Sequence, residues 1–143
     1  MAKPSFIDLW TNYPKTDSPC DGPWSNQCAI RMSITLNAEK SIKIDKHTYT
    51  EPKCKHEHAR GAESLANWLW ANHLGYPHHN DAPDKVKKLI RNKQGIVFFK
   101  DCFTRQGEFT RRGDHIDLWY NGITKTYSDP GNKASAIWFW ELK

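Results

Sequence analysis

The chain has 143 residues, of which 38% are hydrophobic and 13% aromatic, and it carries a formal net charge of +5. This length buries a core without disulfides or metal ions, and the many aromatic residues exclude a disordered chain. No apolar run approaches the roughly 18 residues of a membrane span, so we expect one domain over residues 1–143 and no membrane insertion. The positive charge favours a polyanionic partner, such as nucleic acid or an anionic bacterial wall.

The first part of the chain is predicted to be helical. Residues 6–13 carry apolar side chains at helical spacing, and Pro14 ends the pattern. A second helix is expected from Cys28 to Asn37, with Asn26 as its N-cap and an apolar stripe that indicates burial. These two helices are separated by a loop that contains three prolines.

Two more helices are expected in the middle of the chain. The first runs from Ala62 to Leu74 and is closed by Gly75. The second begins near Asp81, has Pro83 in its first turn and is closed by Gly95.

The last third of the chain is predicted to form strands, because the apolar period changes to two or to short continuous runs. Four strands are expected, at residues 96–99, 114–120, 123–127 and 136–142. Asn121 and Gly122 give a strong hairpin signal between the second and the third. Helices followed by an antiparallel meander predict an α+β fold, with the Cys28 helix packed across one face of the sheet in a papain-like arrangement.

Cys28 and His115 are the residues that we expect to carry chemistry. A thiol is mostly protonated near neutral pH, so a catalytic cysteine needs the field of a helix N-terminus and an imidazole partner. Cys28 begins a buried helix, and His115, 87 residues later, lies on a predicted strand. His115, Asp117 and Trp119 share one face of that strand. If this face meets the Cys28 helix, the imidazole can take the thiol proton and return it to a leaving amine.

Three segments resemble a known family. NQCAIRMSITLN at 26–37, GDHIDLW at 113–119 and IWFWEL at 137–142 are similar to the Tae4 group of type VI secretion amidase effectors, small relatives of the NlpC/P60 papain-like peptidases. Residues 6–10 resemble the opening helix of that family. The resemblance implies a papain-like NlpC/P60 core and a cysteine DL-endopeptidase that needs no cofactor. It also implies cleavage of peptidoglycan stem peptides between D-glutamate and meso-diaminopimelate, with an immunity protein and the secretion machinery as partners.

The third catalytic residue is where this chain departs from the family, which has an aspartate across the hairpin from the histidine. With a two-residue Asn121-Gly122 loop, Ser128 lies opposite His115 and Asp129 points to the other face. A three-residue loop brings Asp129 opposite His115 instead. We place Asp129 first as the orienting acid and Asp117, on the same strand and face as His115, as its alternative.

The N-terminal sequence predicts where the protein is made and how it leaves the cell. Residues 1–13, MAKPSFIDLWTNY, lack the apolar region of a secretory signal. We therefore expect synthesis in the bacterial cytoplasm and secretion without a signal peptide. The family resemblance implies action in the periplasm of a neighbouring cell.

The remaining cysteines and histidines support no metal site. Cys54, His56, His58, His78 and His79 are of the types that bind zinc, but their spacing matches no common zinc motif. In an exported protein, two of the three cysteines other than Cys28 can form a disulfide, and the sequence does not choose the pair. These three are Cys20, Cys54 and Cys102.

Two alternative functions remain open. One is another NlpC/P60-type cysteine peptidase or acyltransferase, acting on a different amide. The other is a basic nucleic-acid-binding module that uses the predicted lysine-rich helix and a pair of arginines, but no nucleic-acid-binding motif is present, so we expect no nucleic acid as partner. The basic residues are Lys85, Lys87, Lys88, Arg91, Lys93, Arg111 and Arg112.

Overall fold

Helices pack on both faces of a four-stranded antiparallel sheet. The structure, a computed structural model, describes residues 3–16, 18–20, 27–104, 113–128, 130 and 133–143. The mixed α+β class predicted from the sequence is confirmed. In chain order, the elements are α1 (Phe6–Asn12), α2 (Cys28–Glu39), α3 (Ala62–Leu69) with a π-helical turn (Trp70–Leu74), α4 (Pro83–Ile90), β1 (Gln94–Phe103), β2 (Gly113–Tyr120), β3 (Ile123–Thr124) and β4 (Ala136–Glu141).

The strand order differs from the predicted meander. It is β3-β2-β1-β4, so β4 pairs with β1 and not with β3. The β2–β3 hairpin has a two-residue loop, because Tyr120 pairs with Ile123. Asn121 and Gly122 both have positive φ, which is the backbone that a tight two-residue hairpin turn requires. The three-residue loop that we considered is therefore not formed.

The two faces of the sheet carry separate cores. Ile116 and Leu118 of β2 lie in a large cluster with buried residues of α1, α2 and α3, whereas Trp119 packs against Val86 and Ile90 of α4. Successive side chains of β2 thus point to opposite faces of the sheet, as predicted. The face that meets the body of α2 is the Ile116 face, not the face that carries His115.

Several predicted element ends differ from the structure: α2 ends at Glu39, β1 extends over Gln94–Phe103, and two further differences have a clear physical reason. Gly95 does not close α4, which ends at Ile90; it lies within β1. A Cβ atom at Gly95 would stand 1.9 Å from the carbonyl oxygen of Trp140, so the strand pairing requires glycine there. Strand β3 is only two residues long, because the chain turns again and the amide of Tyr127 donates to the carbonyl of Thr124.

The third helix ends as the sequence predicts. Gly75 has a φ of +74° and its N–H donates to the carbonyl of Trp70, which closes the π-helical turn. In the part of the chain that the structure describes, none of the helices has both the length and the apolarity needed to span a bilayer.

Candidate active site

Cys28 is the first residue of α2 and is 2% exposed. The N-cap is Gln27, and the predicted N-cap, Asn26, lies outside the described residues. The Gln27 side chain does not cap the helix. It accepts a hydrogen bond from the amide of Cys20 (2.9 Å) and donates one to the Cys20 carbonyl (2.7 Å). This clamp ties the segment that enters α2 to Cys20, while the N-terminal field of α2 acts on the Cys28 sulfur.

His115 lies beside Cys28 although it belongs to the opposite face of the sheet. Strand β3 pairs only with Trp119 and Tyr120 of β2, so no described strand covers the outer edge of β2 at His115. The N-terminus of α2 meets this edge, where the Cys28 thiol donates to the carbonyl of Asp114 at 4.0 Å. The imidazole is hydrogen bonded to the Cys28 side chain, which is one of the interactions that raise its pKa.

Asp117 is the acidic partner of His115. The carboxylate is fully buried, and its Oδ2 lies 2.8 Å from Nε2 of the imidazole. Oδ1 accepts the amide of Leu118 at 2.8 Å, and Oδ2 also accepts the hydroxyl of Thr126. These hydrogen bonds give partners to both oxygens of a buried carboxyl group, whose burial would be costly without them.

The electrostatics of the site favour a charged imidazole. Burial by itself lowers the pKa of His115, but the hydrogen bonds with Asp117 and Cys28 outweigh it and raise the pKa to about 10. Phe99 stacks on the imidazole ring, with the ring centroids 6.1 Å apart. The ring is therefore fixed in position by Phe99 on its face and by Asp117 at Nε2.

Tyr13 and Arg31 lie near the site, since Tyr13 interacts electrostatically with Arg31, Asp117 and Cys28. Tyr13 is 5% exposed, and its hydroxyl has no hydrogen-bond partner among the described residues. Burial and then the charge of Asp117 raise the pKa of Tyr13 above its ordinary value, with the nearby Arg31 acting in the opposite direction. The guanidinium of Arg31 lies 6.0 Å from the centre of the Tyr13 ring. Tyr13 is thus a neutral hydrogen-bond donor close to the reacting groups.

The sequence-predicted site residues are brought together in part. Cys28, His115 and Asp117 are in contact, whereas Asp129 lies outside the described residues. Thr126 was missed by the sequence analysis. The two-residue hairpin turn would have revealed it, because continuing the pairing from Trp119 and Thr124 brings Thr126 opposite Asp117.

Two other candidate sites considered from the sequence are a metal site and a basic surface for nucleic acid. Among the described residues, no group of three or more His, Cys, Asp or Glu side chains is arranged to hold a metal ion. Two of the lysines considered for nucleic acid have acidic neighbours: Lys85 lies 3.7 Å from Asp81, and Lys93 lies 3.5 Å from Glu141. Arg111 and Arg112 are outside the described residues.

Comparisons with known proteins identify the family. The sequence model of type VI secretion system amidase effector protein 4, Tae4, matches residues 24–140. No curated protein matches the chain.

Several solved structures share the fold over the whole chain. The Tae4–Tai4 complex from Salmonella typhimurium matches with a TM-score of 0.75 at 19% identity, covering 99% of this chain and 100% of that one. Tae4 from Enterobacter cloacae matches with a TM-score of 0.68 at 20% identity, covering 99% and 98%. The predicted resemblance is confirmed: the chain belongs to the Tae4 family of type VI secretion amidase effectors.

Proposed function

We propose that this chain is a cysteine amidase that cleaves peptidoglycan stem peptides between D-glutamate and meso-diaminopimelate. The observation that carries the proposal is the continuous contact from Cys28 through His115 to Asp117 in a member of an amidase effector family. Such a chain of thiol, imidazole and carboxylate is what a cysteine hydrolase needs to make and use a thiolate.

Cys28 is the proposed nucleophile. Its proton passes to His115, and the thiolate that forms lies beside the imidazolium at the N-terminus of α2. The sulfur attacks the carbonyl carbon of the D-glutamyl amide, and the backbone N–H of Cys28 donates to the oxyanion that forms.

His115 is the proposed acid and base. Its Nε2 is bound to Asp117, so Nδ1 is the nitrogen that remains for Cys28. The Nδ1 proton goes to the leaving amine of diaminopimelate, and a thioester stays on Cys28. The imidazole then takes a proton from water, which attacks the thioester and releases the D-glutamyl carboxylate together with the restored thiol.

Asp117 is the proposed orienting residue, in preference to Asp129. The 2.8 Å contact with Nε2 fixes the ring, and the hydroxyl of Thr126 fixes the carboxylate in turn. The carboxylate also stabilises the imidazolium that forms when the thiol loses its proton.

We further propose the compartment and the partners. The chain is made in the cytoplasm, is delivered by a type VI secretion machine and acts in the periplasm of the target cell. The Tae4 proteins of Salmonella typhimurium and Enterobacter cloacae were solved in complex with Tai4 as effector–immunity pairs. We infer a cognate immunity protein for this chain that covers the surface at the N-terminus of α2 and the adjoining part of β2.

Digestion of purified muropeptides, with the products identified by mass, tests the bond that is cleaved. We expect disaccharide dipeptides ending in D-glutamate together with fragments that begin with diaminopimelate, and no products with Cys28→Ala. Cleavage at a different amide would favour another NlpC/P60-type specificity, and acyl transfer to an added amine would indicate an acyltransferase. Nucleic-acid affinity that falls with salt and persists in Cys28→Ala would favour the binding module instead.

Expression in two compartments tests the proposed place of action. The unmodified chain should be tolerated in the bacterial cytoplasm, whereas the same chain behind a secretory signal should lyse the cells. Cys28→Ala behind the same signal is the matched control and should be harmless. Equal toxicity in both compartments would contradict a periplasmic target.

A further inference from the structure

We propose that Cys20 and Cys54 form a disulfide when the protein is in an oxidising compartment; the identity of that compartment rests on the proposed function. Cys20 and Cys54 are 2% and 5% exposed and share one small buried cluster with Ile30 of α2. Cys102 lies in a different cluster, with α4 on the other face of the sheet. The structure thus selects one pair from the three cysteines that the mechanism does not use.

His58 is placed to act as a base for the Cys54 thiol in thiol–disulfide exchange. Its Nδ1 lies 3.8 Å from the Cys54 sulfur, and burial lowers the pKa of the ring, so the imidazole is neutral and can accept the thiol proton. The amide of His56 points at the same sulfur at 3.4 Å, and the amide of Cys54 donates to the carbonyl of His58 at 2.8 Å. A neighbouring base can take the thiol proton, and the N–H group can donate to the sulfur when the thiolate attacks a disulfide.

The oxidation is an ordinary thiol–disulfide exchange with a small or protein disulfide as oxidant. Cys54 gives its proton to His58, and its thiolate attacks one sulfur of the oxidant, which forms a mixed disulfide and releases one thiolate of the oxidant. The Cys20 thiolate then attacks the Cys54 sulfur and releases the second thiolate. The protein loses two electrons and two protons, and the oxidant disulfide becomes two thiols.

The link would join the two segments that support the N-terminus of α2. Gln27 is the residue directly before Cys28. Its side-chain amide already accepts from the N–H of Cys20 and donates to the carbonyl of Cys20. The turn at Cys54 is held by the bridge between Lys53 and Ala59. A bond between Cys20 and Cys54 would anchor the entry to the Cys28 helix to this turn, and it would stabilise the fold by restricting the unfolded chain.

Oxidative refolding of the full chain tests the proposal. The reduced, unfolded protein is refolded in a buffer of oxidised and reduced glutathione, in a Cys28→Ala background so that the Cys28 thiol takes no part. Remaining thiols are alkylated, and peptides from a non-reducing digest are identified by mass. We expect the Cys20 peptide linked to the Cys54 peptide, and a Tm higher than that of the reduced protein by on the order of 10 °C.

Single substitutions give the matched comparison. Cys102→Ala removes a buried cysteine outside the cluster and should keep both the link and the Tm difference, whereas Cys20→Ala and Cys54→Ala should lose both. Alkylation of Cys20 and Cys54 after oxidative refolding, a link to Cys102, or a link with no gain in Tm would each overturn the proposal. If a substituted protein fails to fold, the peptide masses of the Cys28→Ala protein still show which cysteines are linked. None of these readouts uses amidase activity, so a failure of the proposed function is seen separately.

Discussion

The molecule holds two pairs of cysteine and histidine, and they have opposite electrostatics. At Cys28, the imidazole of His115 contacts a buried carboxylate, and its pKa is raised to about 10. At Cys54, the His58 ring lies 3.8 Å from the sulfur, but burial and the charge of His56 lower its pKa, against a smaller opposing effect of Glu57. The two histidines differ chiefly in Asp117, which has no hydrogen-bonded counterpart among the groups that shift the pKa of His58.

This difference explains why we propose only one of the two pairs as a catalytic site, although thiol and imidazole are close in both. A buried imidazole stays neutral unless an acid partner offsets the loss of hydration. Of these two histidines, His115 has a hydrogen-bonded acid partner, and its raised pKa keeps the ring beside Cys28 charged near neutral pH. Cys54 instead has a neutral base, which suits slow thiol exchange.

The largest expected effect is a loss of turnover when the Cys28–His115 pair is substituted. Substitution of the Cys54–His58 pair should not cause this loss. Cys28→Ala and His115→Ala should each reduce kcat on muropeptides by about 10⁴-fold or more, because the nucleophile and its base act as a unit. Cys54→Ala and His58→Ala, measured in the same assay under reducing conditions, should keep most of the activity. A folded Cys54→Ala protein without turnover would mean that the nucleophile is misassigned.

The second prediction concerns Asp117, the carboxylate that makes the Cys28–His115 pair different from the Cys54–His58 pair. Asp117→Asn keeps the size of the side chain but removes its charge, and it should lower kcat by about 10²- to 10⁴-fold. Asp129→Asn is the matched control and should have a smaller effect. The opposite order of the two variants, in proteins of equal thermal stability, would restore Asp129 as the orienting acid.

The third prediction concerns pH and stability. The folded pKa of His115 is about 10, above the value of about 6.5 expected in the unfolded chain. Its contribution to the free energy of unfolding is therefore complete below pH 6.5 and is lost as the pH rises towards 10. Urea denaturation between pH 6 and 10 should show this decline in the wild type and a flatter profile in Asp117→Asn. Equal slopes in the two proteins would show that Asp117 does not hold the imidazole charged.

The smallest expected effect is at Thr126, whose hydroxyl donates to the carboxylate of Asp117. Thr126→Val keeps the shape of the side chain and removes this charge-assisted hydrogen bond, so kcat should fall by about tenfold while KM changes little. Thr50→Val, at an exposed position, is the control. An unchanged kcat in Thr126→Val would mean that the hydroxyl does not position Asp117.

Much of the fold could be predicted from local pattern. The helix that begins at Cys28 and the hairpin turn at Asn121 and Gly122 depend on spacing and backbone preference, which are local properties. The place of β4 beside β1 and the role of Gly95 depend on contacts between distant segments. No pattern within a single strand carries that information.

Cys28, His115 and Asp117 were all named from the sequence, but Thr126 was not. The sequence placed Asp129 ahead of Asp117, whose carboxylate contacts His115 in the structure. Cys28 and His115 have local signals, and alternation along β2 correctly separates His115 from Ile116. Alternation does not tell which face meets α2; in the structure it is the face that carries Ile116 and Leu118. The grouping of Cys20 with Cys54 likewise arises from tertiary packing around Ile30.

The protonation states of the two histidines test the account most directly, and one nitrogen NMR spectrum of the uniformly labelled protein at pH 7.5 reports both. His115→Gln and His58→Gln assign the signals. The account predicts a charged imidazolium at His115, with both ring nitrogens protonated, and a neutral ring at His58. A neutral His115, or the same charge state at both histidines, would contradict it.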